Sequence, residues 1–308
     1  MRKLLLLFIS LLFIANTGNA QRKKMRYALD YGFGLGPSNY LGEMGGKEKI
    51  RRDFIWDMKL KNTRWSMNGF ARYKLNNYFA VQSSLAYLRI QGDDKLSTNR
   101  GRRGRNLNFR NDMLELALRG DVYIYGTNDV GRRGTYRLDF KSYFFAGIAG
   151  VLHGPKTAYD GSMVKLRPLQ TEGVKYTKVT AALPLGLGFY FTKKRKYRFG
   201  FEIGWRLTFT DYLDDVSGLY ADHSSSGNAT LVALSNRHDE LDPSDTSVPS
   251  SLYYQPGEKR GDPTHNDTYF YSVFTYSYVL RGRNTFYTQN YNWLFGKKGK
   301  HRLVRVKF

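Results

Sequence analysis

The sequence predicts an all-β fold: an eight-stranded antiparallel transmembrane β-barrel with long extracellular loops and a basic periplasmic C-terminal tail. Three observations predict it. Eight segments alternate apolar and polar residues with period two. The connections between them alternate short and long. The N-terminus reads as an export signal.

The export signal comes first along the chain. Arg2 and Lys3 form a basic start, Leu4 to Ile14 is an apolar run, and Gly18-Asn19-Ala20 supplies small residues at the usual cleavage positions. The run is too short to span a bilayer comfortably. The expected organisation is a signal peptide at 1–20, a barrel at 21–280 and a basic aromatic tail at 281–308. The chain has no cysteine. That excludes lipid attachment at a processed Cys and any disulfide, so stability must come from packing and backbone pairing.

No other apolar run approaches twenty residues, which argues against a helical membrane protein. A barrel hides its apolar signal, because only every second residue faces lipid. The 24 Tyr and 20 Phe suit strands and interfacial girdles.

The eight segments lie near 28–36, 64–75, 78–91, 109–124, 139–153, 177–191, 197–211 and 268–280. In the first, Leu29, Tyr31, Phe33 and Leu35 share one face and Asp30 and three glycines the other. In the fourth, Leu114, Leu116 and Leu118 oppose Glu115, Ala117 and Arg119. The sixth sets Leu183, Leu185, Leu187, Phe189 and Phe191 against small residues and Tyr190. The seventh is the clearest: Phe199, Phe201, Ile203, Trp205, Leu207 and Phe209 oppose Gly200, Glu202, Gly204, Arg206 and Thr208. The eighth carries aromatics on both faces. A polar face this rich in glycine fits the narrow interior of a small barrel better than the solvated face of a sandwich.

The connections 76–77, 125–138 and 192–196 are short or moderate, whereas 37–63, 92–108, 154–176 and 212–267 are long. Short turns belong to the periplasm and long loops to the outside, so an even strand count puts both termini in the periplasm. The last loop is rich in Ser, Asp, Asn and Pro, and its middle, 223–251, is expected to be flexible.

Several strings resemble the PorG-like outer-membrane barrels of the type IX secretion system. They are Asn39-Tyr40-Leu41-Gly42-Glu43-Met44-Gly45-Gly46, Gly92-Asp93-Asp94, Arg105 to Asp112, Leu169-Gln170-Thr171-Glu172-Gly173, and Thr208-Phe209-Thr210-Asp211-Tyr212-Leu213-Asp214-Asp215-Val216-Ser217. The resemblance covers roughly 27–280, and the Thr-Phe-Thr-Asp-Tyr-Leu-Asp-Asp string is its most specific part. It implies a non-enzymatic barrel associated with the periplasmic ring of a protein-secretion machine, with a possible link to gliding motility. In that reading Asp211, Tyr212, Asp214 and Asp215 are the family's loop motif.

Each candidate site has a plainer alternative. Glu115, Arg119, Glu202 and Arg206, with Asp30 and Arg72, fall on the polar face. Charges facing lipid cost about 2–4 kcal/mol for Arg near the midplane, so an interior ion-pair network that blocks conduction is expected over a pore. Asp211, Asp214 and Asp215 lack the spacing of an EF-hand calcium loop, and a loop-capping or lipopolysaccharide-ion role is a better reading than specific calcium binding. No Cys/His cluster suggests a metal, and no cofactor is expected. His153 is the one histidine near a strand end, and no serine matches it as nucleophile. Arg100, Arg102, Arg103 and Arg105 lie in an outward loop and face lipopolysaccharide phosphate or solvent.

Formal net charge is +23, and +21 without Arg2 and Lys3. Nucleic acid is the tempting partner, but an exported chain does not meet it. The charge is one-sided. The periplasmic side carries Arg22, Lys23, Lys24, Arg26, Arg132, Arg133, Arg137, Lys193, Lys194, Arg195, Lys196 and Arg198. The tail adds Arg281, Arg283, Lys297, Lys298, Lys300, Arg302, Arg305 and Lys307 beside Trp293 and Phe295, and the one acid on that side is Asp129. The 193–196 turn and the tail are therefore the candidate docking surface for periplasmic secretion-ring proteins, with attraction to anionic lipid as the alternative. Two other classes stay open: a passive envelope barrel or small pore, and a lipid-modifying enzyme.

Overall fold

The computed structural model describes residues 29–44, 60–128, 130, 138–242 and 248–280. The expected signal peptide at 1–20, residues 21–28, the Arg132–Arg137 turn and the whole tail, including Trp293, Phe295, Lys297, Lys298, Lys300 and Arg302, lie outside the described residues.

Ten strands form in chain order: β1 (Leu29–Leu41), β2 (Arg64–Lys74), β3 (Phe79–Asp93), β4 (Asn108–Thr127), β5 (Leu138–Leu152), β6 (Pro155–Tyr159), β7 (Ser162–Lys165), β8 (Val179–Lys193), β9 (Tyr197–Thr208) and β10 (Thr268–Leu280). β1–β5 and β8–β10 pair in sequence order, and β1 meets β10, so the sheet closes into an eight-stranded antiparallel barrel. Closure leaves no unpaired wall edge, which a lipid environment demands of β-structure.

The seven remaining boundaries move by a few residues from expectation, whereas β1 runs five residues further, to Leu41. β6 and β7 form an extra hairpin that continues from β4 above the barrel wall. The 223–251 stretch departs further from expectation. Its described residues contain helix α2 (Ala229–Ser235), capped by Asn228, whose side chain accepts from the backbone of Thr230 and Leu231. A 3-10 turn follows at His238–Glu240, and Leu234 is fully buried. Apolar anchoring offsets the polar composition there. A second short helix, α1 (Arg100–Arg105), lies in the 94–107 loop.

The wall is inside out relative to a soluble protein. On β4, Leu116 is 63% exposed while Glu115 is 0%. On β9, Phe199 and Ile203 face outward while Glu202 and Arg206 are buried. The aromatics on both faces of β10 have a simple cause. Phe274 and its outward neighbours face the surroundings, while Tyr269 and Tyr271 point in and bond a lumen carboxylate. An apolar exterior around a polar, paired interior is the architecture of an outer-membrane-type barrel.

Candidate functional site

The lumen is filled by side chains at successive levels. Near the long-loop end, Arg206 Nε lies 3.3 Å from Glu115 Oε2, and its guanidinium sits 3.6 Å above the Tyr271 ring. Tyr269 donates to the same carboxylate at 2.5 Å. At the next level Glu202 accepts from Arg119 Nη2 at 2.7 Å, from Arg72 Nη2 at 3.0 Å and from the Tyr143 hydroxyl. Asp121 sits 3.1 Å from both Arg72 Nε and Arg119 Nε, paired by distance though off the hydrogen-bond axis. Arg72 also donates to Gln82 at 2.9 Å, and Arg119 lies 4.0 Å over the Phe145 ring. Towards the short-turn end, Arg198 pairs with Asp30, which also accepts from Ser277.

The structure thus places Glu115, Arg119, Glu202 and Arg206 in two pairs and draws Asp121 and Tyr143 in beside them. Backbone without side chains makes the room: a Cβ on Gly188 would stand 2.6 Å from the Tyr143 ring. Arg198 corrects the expected charge distribution. It is buried in the lumen and does not belong to the surface of the turn.

The short turn between β8 and β9 presents Lys193, Lys194 and Arg195 exposed and Lys196 half-buried. Lys196 N–H closes it on Lys193 C=O at 3.1 Å. Lys194 and Arg195 have φ of 52° and 57°, both left-handed. Two-residue hairpin turns need positive φ at both central positions, which favours Asn-Gly. Two long cations there cost about 1 kcal/mol or more each.

The long loops knit into a cap. The Tyr40 hydroxyl lies 2.7 Å from Asp214 and 2.5 Å from Asp267, with one proton to give to either carboxylate. Asp214 also accepts from Val216 N–H, and Asp267 from Leu213 N–H. Asp215 accepts from Thr171 and Tyr176, each at 2.5 Å. Arg105 grips Asp94 with two nitrogens, at 2.7 and 3.1 Å, and donates to the carbonyl of Arg260. Arg260 in turn reaches Glu172 at 2.9 Å and the carbonyl of Asp215 at 2.7 Å. Every long loop contributes.

The Asp211–Asp215 motif is therefore a buried brace. Asp214 and Asp215 turn to different partners, while Tyr212 stacks on Tyr176 at 4.6 Å. Burial pushes the Asp214 carboxyl well up, with Asp267 adding to the effect. Burial likewise raises Asp215 to about 6, against the pull of Arg260. Arg105 is likewise not solvated: it is 5% exposed and locked in the cap. His153 is buried beside Tyr176, with neither ring nitrogen bonded to a side chain. Burial, with Arg167 nearby, pushes its pKa down to about 4, so it is neutral. The cap contacts join residues up to 227 apart in sequence, so local pattern did not reveal them.

No curated protein sequence matches this chain significantly. Among solved structures, the outer membrane protein OprG from Pseudomonas aeruginosa is similar at 11% identity and TM-score 0.38, covering 83% of this chain and 98% of that one. The N-terminal β-barrel domain of Pseudomonas aeruginosa OprF is similar at 8% identity and TM-score 0.35, covering 82% and 98%. Ail, the attachment invasion locus protein of Yersinia pestis, is similar at 9% identity and TM-score 0.32, covering 83% and 100%. Likenesses this distant carry no functional information. The sequence itself is more decisive: a family model matches residues 2–226, from the N-terminus through β9 and past the Asp211–Ser217 brace, and the chain belongs to that family, described as Domain of unknown function (DUF6089).

Proposed function

We propose that this chain is a non-enzymatic outer-membrane barrel that anchors a periplasmic protein-secretion assembly, with its termini and short turns in the periplasm and its loop cap outside, among lipopolysaccharide. The observation that carries the reading is the Lys193–Lys196 turn. It holds cations in two left-handed positions where Asn-Gly would be less strained. Strain at an exposed, charged turn is accounted for if those charges meet a partner. The packed lumen supports an anchor over a conduit, since its charges are engaged with one another. The resemblance to PorG-like barrels supports a secretion ring as the partner class, and the 281–308 tail would extend the same basic face.

Co-purification from native membranes in mild detergent tests this. Reversal of Lys193, Lys194, Arg195 and Lys196 to Glu should leave a heat-modifiable barrel that has lost the periplasmic components. Association by the unaltered chain should weaken with salt. If the reversed barrel keeps its partners in full, the docking reading is wrong, and attraction to anionic lipid accounts for the charge.

A further inference from the structure

A charged patch lies on the outer wall of the barrel, at the long-loop end and on the face opposite the lumen. On β4 the outward residues Leu116 and Leu114 are exposed, and the next two outward positions are Asp112 and Arg110. On β3 the outward series Leu85, Tyr87 and Arg89 makes the same change from apolar to charged. Trp65 of β2 lies beside this step, 47% exposed, with its ring 5.1 Å from that of Tyr87. Large aromatics where an apolar band gives way to charge mark a membrane–water interface. The cations therefore stand at head-group level. That this level belongs to the outer leaflet rests on the reading above, which places the long loops outside.

The patch carries more positive charge than it can neutralise. Strand register sets Arg89 opposite Asp112, and Arg110 opposite Lys156, which in turn stands opposite Lys165 on β7. Residues directly opposed share a face, and like charges so placed destabilise a sheet. One carboxylate serves three of the four cations. Asp112 lies 2.6 Å from Arg89 Nε, 3.4 Å from Arg110 Nη2 and 3.7 Å from Lys156 Nζ. The next outward acid on β3, Asp93, accepts from Lys95 N–H and caps the 94–96 turn. The side chains of Arg89, Arg110 and Lys156 keep 23%, 35% and 33% of their surface exposed, so their donors are open to a ligand lying along the wall.

Cations in excess on a lipid-facing surface call for an anion held in the plane of the membrane. Arg and Lys take phosphate through charge-assisted hydrogen bonds, and basic patches at this level recognise anionic head groups. From β3 to β7 the patch crosses three strand spacings, about 14 Å. A head group with one phosphate would engage part of it. A disaccharide phosphorylated at both ends would reach across it.

We propose that this patch binds the bisphosphorylated head group of lipopolysaccharide, with Arg89, Arg110, Lys156 and Lys165 holding the phosphates and Trp65 against the start of the acyl chains.

Native mass spectrometry tests it on the full chain in non-ionic detergent. The chain is titrated with bisphosphorylated lipid A, with lipid A stripped of both phosphates, and with phosphatidylglycerol. The bisphosphorylated form should bind about tenfold or more tightly than either of the others. Arg110→Gln and Lys156→Gln should each weaken it about tenfold, the loss of one hydrogen bond to a charged group. Lys156 lies on the β6–β7 hairpin, outside the closed wall, so its variant should remain a heat-modifiable barrel. Lys175→Gln with Lys178→Gln removes two exposed charges on the β8 side of the same end and should leave the affinity unchanged. The proposal is overturned by no binding of lipid A to the unaltered chain, or by equal affinity for phosphatidylglycerol or for the stripped form. It is also overturned by binding that Arg110→Gln and Lys156→Gln both retain, or by an equal loss in the Lys175 and Lys178 variant. Capture of periplasmic components is read separately on the same variants: its retention while lipid A fails to bind sinks this site and leaves the anchoring reading standing.

Discussion

Replacing Glu202 with Gln tests whether the lumen is held by charge. Glu202 is 2% exposed and takes hydrogen bonds from Arg119, Arg72 and Tyr143. At this level two guanidiniums face two carboxylates, the second being Asp121. Glutamine keeps the shape and one acceptor but leaves one positive charge uncompensated inside the barrel. Removing one partner of a buried pair costs about 3–5 kcal/mol. Asp121 remains beside both arginines, so the lower end, about 3 kcal/mol, is expected. For a domain of this size that lowers the melting temperature by about 6–12 °C. The assay is loss of heat-modifiable gel mobility and of far-ultraviolet circular dichroism in detergent. The double variant Arg119→Gln with Glu202→Gln restores neutrality and should recover part of the loss, giving a coupling of about 1–3 kcal/mol. A single variant within about 0.5 kcal/mol of the unaltered protein would refute the argument, as would a double variant whose loss equals the sum of the two singles.

Four further outcomes are expected. Purified protein in planar bilayers should pass no steady single-channel current, because the lumen charges are paired at successive levels; steady currents would contradict the filled lumen. Gly188→Ala should cost about 1–3 kcal/mol by driving a methyl into the Tyr143 ring, read as a lower melting temperature with altered near-ultraviolet dichroism. Lys194→Asn with Arg195→Gly should stabilise the barrel by about 1–2 kcal/mol in urea titrations while weakening partner capture; unchanged stability would remove the strain argument. The cap should be firmer in mild acid. Burial lifts the Asp215 carboxyl from 3.8 to about 6, so its contribution is complete below about 3.8 and is lost as pH rises through about 6, and Asp214 shifts in the same direction. Near-ultraviolet melts at pH 5 and 8 should therefore differ, and Asp215→Asn should reduce the difference.

Much of the barrel was legible because period-two alternation fixes which face each residue joins. Arg198 lies on the same face of β9 as Glu202 and Arg206, so parity alone places it in the lumen; counting it with its basic neighbours in the turn obscured that. Asp121 is two residues from Arg119 and was available by the same rule. The β6–β7 hairpin also left a signal, an Asp160-Gly161 pair between Tyr159 and Ser162, with φ of 45° and 69°. The cap left no comparable trace. Tyr40, Asp214 and Asp267 belong to three segments and meet only when the barrel is closed. Composition suggested a flexible 223–251 stretch, but Leu234 is buried there in the same apolar cluster as Leu107, Leu166 and Leu213.

That contrast bears on where function sits. The lumen combines residues whose faces were fixed strand by strand, and nearly every charge in it has a partner, so it reads as structure. The short turn departs from that pattern, because its cations occupy left-handed backbone at the surface. Residues held in strain raise the energy of the isolated chain, and counter-charge from a partner offsets that cost without removing it. Turn and lumen are therefore expected to work separately: charge reversal of Lys193–Lys196 should abolish partner capture and leave the heat-modifiable barrel intact. Loss of the folded barrel on charge reversal would mean that the turn's cations hold the wall together, which the pairing of the lumen charges with one another argues against.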